Sequence, residues 1–107
     1  MKRYTLVVMT NALDNRDDEF NNWYSSVHML DMLKVPGFKS ARRLSLSDVQ
    51  NPARPPCPYR YLALYEVETD DLDAILEEIA ARYETPRMLM NDSMDRNLFA
   101  YYFEALP

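Results

Sequence analysis

The chain contains one tryptophan, one histidine and one glycine, and all three fall between residues 23 and 37. The segment reads Trp23-Tyr24-Ser25-Ser26-Val27-His28, then Asp31, then Val35-Pro36-Gly37-Phe38. Histidine has an ordinary pKa near neutrality, so one set among aromatic residues on a helix is a candidate proton acceptor or donor. The same spacing fits a histidine at the edge of the core whose ring nitrogens are merely hydrogen-bonded. Cys57 stands alone, which rules out an intrachain disulfide and a cysteine-based zinc site. It lies between Pro55-Pro56 and Pro58, a loop context, and a nucleophilic thiol would need a histidine or a helix N-terminus beside it. A single glycine also excludes a glycine-rich dinucleotide turn and a phosphate-binding loop.

The elements that must position these residues belong to one domain, residues 1–107, by the usual size of folded units. With 48% hydrophobic and 27% charged residues the composition is that of a globular protein. A net charge of −5 argues against nucleic acid as a partner, because phosphate binding needs a basic face. No apolar run nears the roughly 20 residues of a membrane span, and Met1-Lys2-Arg3 is not followed by a signal-peptide core. The expectation is a cytoplasmic protein with no membrane partner.

Residues 3–10 are rich in β-branched and aromatic side chains and read as a strand. A helix follows, capped by Asp14 or Asn15 and favoured by Asp17, Asp18 and Glu19 at its positive end. Phe20, Trp23, Tyr24 and Val27 share one face of it, with His28 at the edge. Asp31 falls near the middle of that apolar stripe, where an unpaired carboxylate is costly. Either the helix ends or turns near residue 29, or Asp31 has a partner. Pro36-Gly37 closes the segment. Residues 38–46 and 59–67 read as strands, joined by a proline-rich connection. Thr69-Asp70-Asp71 caps a second helix whose apolar stripe runs Leu72, Ile75, Leu76, Ile79, Tyr83. A loop carrying Met88, Met90 and Met94, read as flexible gap-filling side chains, leads to a last strand over 97–104.

The order βαββαβ predicts an α+β, ferredoxin-like fold: a four-stranded antiparallel sheet with both helices on one face. Both strand faces are apolar, however. Tyr4, Leu6 and Val8 alternate with Val7 and Met9; Tyr61, Ala63 and Tyr65 with Leu62 and Leu64; Leu98, Ala100 and Tyr102 with Phe99, Tyr101 and Phe103. Helices cover one face, and the other is most simply covered by a second copy, giving a sheet-to-sheet homodimer.

The block Trp23-Tyr24-x-x-Val27-His28-x-x-Asp31, then Val35-Pro36-Gly37-Phe38, Ala41 and Arg43, resembles the EthD-like family of the dimeric α+β barrel superfamily. Tyr61-Leu62-Ala63-Leu64-Tyr65-Glu66 and Thr69-Asp70-Asp71-Leu72 are similar too, whereas Leu30 stands where many members carry proline. The resemblance implies the fold and the dimer. It implies a reaction only broadly, since the superfamily includes cofactor-free monooxygenases, cyclases, decarboxylases, dehydratases and haem-handling enzymes, and fold does not fix function.

In such a domain a cavity can form between helices and sheet, with Phe20, Trp23, Tyr24, Tyr65 and Tyr83 as candidate substrate-binding walls. The candidate catalytic residues are His28 as acid or base, Asp31 to orient it, and Tyr61 or Arg43 to steady developing negative charge. Arg43 could equally pair with Asp31 or Glu66, and the aromatic residues could serve only core or interface. The reading is a cofactor-independent enzyme of lyase, dehydratase, decarboxylase or cyclase type acting on an aromatic or apolar small molecule. The alternatives are a cofactor-free monooxygenase and a non-catalytic binding or accessory protein. No cofactor or metal is expected, and haem would have His28 as its one available imidazole.

Overall fold

The computed structural model describes residues 1–107. The elements are β1 (Lys2–Thr10), α1 (Asp17–Trp23), a π-helical turn (Tyr24–His28), α2 (Met29–Leu33), β2 (Phe38–Ser45), β3 (Tyr61–Thr69), α3 (Leu72–Arg82) and β4 (Phe99–Glu104). The strands pair antiparallel in the order β2-β3-β1-β4, which is the expected ferredoxin-like topology. No helix is long and apolar enough to cross a membrane.

The apolar alternation of the strands becomes the two faces of the sheet. Leu6 lies opposite Tyr65 and Tyr102, and Val8 opposite Ala63 and Ala100, on the face the helices cover. Leu6, Ala63, Tyr65 and Val67 are buried there. Val7 lies opposite Leu64 and Tyr101, and Met9 opposite Leu62 and Phe99, on the other face. That face is bare in the single chain: Tyr101 is 59% exposed and Phe103 53%.

The first helical segment differs from expectation at both ends. Asn15 adopts a left-handed φ of 60°, so Arg16, not Asp14 or Asn15, is the flanking residue, and no side chain caps the helix. Arg16 instead joins Glu19 at 2.8 Å and Asp92 at 2.6 Å. Further on, the segment neither ends nor breaks near residue 29. It passes through the π turn, in which the Met29 amide donates to the Tyr24 carbonyl five residues back, and continues to Leu33. Asp31 has a partner, Lys34, at 3.7 Å. Gly37, with φ +100°, then turns the chain into β2.

β3 and β4 begin two residues later than their composition suggests, whereas β1 and β2 begin within a residue of it. β3 starts at Tyr61 rather than 59, because Asn11 holds the preceding loop away from the ladder: its Nδ2 donates to the Pro58 carbonyl at 2.9 Å and its Oδ1 accepts from the Arg60 amide at 2.8 Å. α3 is capped as expected, Asp71 accepting from the Ala74 amide at 3.1 Å. Tyr83 ends that helix instead of extending its stripe. The segment between α3 and β4 straps across the open end of the helical layer. It is held by Leu13 donating to the Ser93 carbonyl at 2.7 Å and by Trp23 Nε1 donating to the Leu89 carbonyl at 2.9 Å.

Candidate functional site

The π turn determines which side chains meet. On an α-helix residues five apart point about 140° away from each other. A turn closed by an i to i+5 hydrogen bond brings them together. Trp23 and His28 are five apart, and their rings stack with centroids 4.9 Å apart and planes 23° from parallel. Tyr24 meets the same imidazole edge-on, also at 4.9 Å. The turn thus rotates His28 from the edge of the apolar stripe into the space beneath the helices.

That space is a cavity of about 430 Å³ bounded by the helix-side face of β1, β3 and β4, by α3 and by the strap. This is within the size range of small-molecule sites. The sheet contributes Leu6, Val8, Tyr65 and Tyr102, and the strap contributes Met88, Met90 and Met94. His28 is the one wall residue outside the apolar and aromatic set, and no charged side chain lines the cavity. A second hollow of about 430 Å³ lies beside Gly37 and the start of α3. Its wall carries Lys39, Glu68, Asp71 and Glu78 and no aromatic ring, so it does not fit the same ligand chemistry.

Burial governs the electrostatics of the site. Desolvation lowers the His28 pKa from 6.5 to about 4, and the nearby Asp31 charge only partly opposes it. His28 is therefore neutral at physiological pH. Its Nδ1 is buried without a hydrogen-bond partner. Tyr24 and Tyr65 are joined hydroxyl to hydroxyl, Tyr65 donating at 3.0 Å, and burial raises the pKa of both. Tyr24, whose hydroxyl accepts that bond, is itself a wall residue of the cavity. Tyr102, half-buried across the cavity, has its pKa pushed up to about 12 by desolvation.

Of the residues singled out in the sequence, His28, Tyr24, Tyr65 and Tyr83 line the cavity. Asp31 is close enough to act on His28 through space, but it makes no hydrogen bond to the ring and pairs with Lys34 instead. The ring is held by stacking on Trp23 and edge-on contact with Tyr24, not by a carboxylate. Tyr61 does not reach the cavity: its hydroxyl donates to Asp17 Oδ2 at 2.5 Å. It shares a face with Tyr65, yet four strand residues place the two about 13 Å apart along β3. Arg43 also lies outside the cavity wall and pairs with neither Asp31 nor Glu66. Its Nη1 donates to Ser25 Oγ and its Nη2 to Asn21 Oδ1, each at 3.0 Å. Phe20 is fully buried in the core, and Trp23 supports His28 from behind.

Tyr102 was not singled out in the sequence, although its alternation with Tyr101 and Phe103 was enough to set it on the helix side. No three histidine, cysteine, aspartate or glutamate side chains converge to hold a metal ion.

Neither a protein-family model nor a curated protein sequence matches this chain. Two solved structures have its fold. A candidate monooxygenase from Shewanella loihica PV-4 superposes with a TM-score of 0.66 at 10% identity, over 100% of this chain and 98% of that one. An EthD-family protein from Bacillus halodurans C-125 superposes with a TM-score of 0.53 at 13% identity, over 99% and 100%. At these identities the likeness establishes the architecture alone, a ferredoxin-type α+β fold from end to end of the chain.

Proposed function

We propose that the cavity takes up a neutral aromatic or otherwise apolar small molecule and that His28 exchanges a proton with it, in a cofactor-independent reaction of lyase or isomerase type. The observation that carries this reading is His28 itself. It is a neutral imidazole with an unpartnered buried nitrogen, clamped between two aromatic rings in the wall of an otherwise apolar cavity.

The chemistry is a proton transfer. A C–H or O–H bond acidified by a neighbouring carbonyl gives its proton to the imidazole, and the electron pair moves to the carbonyl oxygen. The Tyr24 hydroxyl donates to that oxygen as charge develops, in a setting where such a bond is strong. A base whose pKa is about 4 when the cavity is empty looks weak. However, the anion formed beside it in a dry site attracts the new imidazolium, and this Coulomb term offsets the desolvation that lowered the pKa.

The bare sheet face supports a homodimer. Val7, Leu64 and Tyr101 form one row across it and Met9, Leu62 and Phe99 the next. A second copy meeting it face to face would remove both rows from water.

The fold shared with a candidate monooxygenase supports a second reading, in which the same pocket steadies a substrate carbanion during reaction with dioxygen. One experiment addresses both. The protein is incubated with a panel of naphthols and naphthyl ketones while product masses and oxygen uptake are followed. Turnover without oxygen uptake, abolished by His28→Ala in a variant of unchanged quaternary state, is the expected result. Oxygen uptake coupled to turnover selects the second reading. Ligand-dependent increases in Tm with no product would assign a binding role, and turnover by His28→Ala would remove the histidine from the chemistry.

A further inference from the structure

The cavity wall carries no charge, yet a full positive charge sits immediately outside it. The Arg43 guanidinium carbon lies 4.4 Å from the centroid of the Tyr24 ring. It is farther from Phe20 and Tyr61, at 5.5 and 5.7 Å. No carboxylate pairs with it: both terminal nitrogens are used on the neutral acceptors Asn21 and Ser25, and Nε is buried without a partner. Placing a guanidinium in a half-buried position with no counter-ion costs desolvation that two neutral hydrogen bonds and the ring contacts offset only in part. The ring it covers belongs to Tyr24, a wall residue of the cavity and the proposed donor to the ligand.

We infer that Arg43 is a positioning residue that acts on the ligand through Tyr24, its charge held outside the cavity and felt there through the Tyr24 ring and hydroxyl. The inference rests on the proposed reading of Tyr24 as the donor to the developing anion. A cation over the ring face makes the phenol a stronger hydrogen-bond donor, because it favours negative charge on the phenol oxygen. A neutral ligand meets no charged group on entry, so binding is not spent on an ion pair. The guanidinium opposes protonation of His28 at all times, but it acts favourably on the ligand when negative charge forms on the atom held by Tyr24, which is the condition for lowering a barrier rather than tightening ground-state binding. The other titratable groups facing Tyr24 are Tyr65 from β3 and His28 from its own turn, and both are neutral at physiological pH. Arg43 is the sole charge in that shell.

The test uses 2-naphthol as the probe, because its absorbance reports ionisation directly and needs no turnover. The ionisation constant of the bound probe is measured by pH titration in the wild type, Arg43→Met, Arg43→Lys, Tyr24→Phe and the double variant Arg43→Met/Tyr24→Phe. Arg43→Met is expected to lower that constant about tenfold, a shift of about one pKa unit. The affinity for neutral naphthol should change less than about threefold, and Arg43→Lys should restore most of the ionisation. In the Tyr24→Phe background Arg43→Met should change the constant by less than about twofold, the coupling expected of one residue acting through another. If Arg43→Met does not fold, Arg43→Gln keeps a polar donor beside Asn21 and Ser25 without the charge and should shift the constant in the same direction. An unchanged constant in a folded Arg43→Met or Arg43→Gln variant, or an equal effect with and without the Tyr24 hydroxyl, overturns the inference and leaves the cavity reading standing. Failure of the wild type to bind 2-naphthol overturns both.

Discussion

Trp23 and His28 are five residues apart and yet stacked, their ring centroids separated by 4.9 Å. The pairing exists because the turn between them carries one residue more than an α-helix would hold. Trp23→Ala should remove the ring stacked on the imidazole and admit water to its face. Its pKa is then expected to rise from about 4 toward 6.5. Titration of the imidazole Cε1–H signal by NMR measures this. A pKa that stays near 4 in the Trp23→Ala variant would mean that the stacked indole does not set the environment of His28.

The depressed pKa also has a thermodynamic signature. The unfolded chain takes up a proton on its histidine near 6.5 and the folded chain not until about 4. Between those values the unfolded state binds more protons, so stability falls as pH falls through the window and is fully retained above it. By pH 4 the loss attributable to His28 is about 3 kcal/mol. Denaturant unfolding of wild type and His28→Gln between pH 7.5 and 4 should show the wild-type curve descending more steeply by that amount. Parallel curves would mean that the histidine is not desolvated in the native state.

Much of the fold was legible in the sequence because it depends on side-chain period. The strand faces alternate Leu6 and Val8 against Val7 and Met9, and the ladder realises that alternation opposite Tyr65 and Leu64. Asp71 caps α3 because its type and position make it a local acceptor for an amide three residues on. The site was less legible, for three separate reasons. Tyr-Ser-Ser-Val-His carries no residue that marks a π turn, so straight helical spacing left His28 at the edge of its stripe and set Asp31 near the middle. Tyr61 and Tyr65 share a face, but a shared face says nothing about distance along the strand, and Asp17 claims the Tyr61 hydroxyl. Arg43 invited a carboxylate partner on charge alone, whereas the register of β2 sets it beneath α1 and the π turn, where Asn21 and Ser25 accept its bonds.

Gly37 is the one position where the backbone demands glycine. Its φ is +100°, and a Cβ there would stand 2.8 Å from Ile75 Cδ1 and 3.0 Å from the Glu68 carbonyl oxygen. The Ile75 methyl can move, but the Glu68 carbonyl belongs to β3, and the adjoining Glu68 amide donates to the Gly37 carbonyl at 2.9 Å. Gly37→Ala therefore combines a strained conformation with a contact that cannot relax, and is expected to cost about 2 kcal/mol. In a chain of this size that lowers Tm by about 10 °C. Thermal melts by circular dichroism decide it; a loss below about 2 °C would show that the turn reshapes freely.

The outer face of the sheet sets the last expectation. Tyr101 and Phe103 on β4 are exposed by half or more, and they continue across the sheet into Val7 and Leu64, which are half-buried only by their neighbours. A face of this kind draws a second copy because each apolar side chain removed from water contributes about 1.5–3 kcal/mol when fully buried. Leu64→Lys places an ammonium near the middle of the face, where face-to-face packing would strand it from water and from any carboxylate. Sedimentation velocity should find the wild type at twice the chain mass and Leu64→Lys at the chain mass, with the far-ultraviolet spectrum unchanged. Because the cavity lies on the opposite side of the sheet, the monomeric variant should still bind an aromatic probe. A wild type that sediments as a monomer at micromolar concentration would leave the bare face to some other partner.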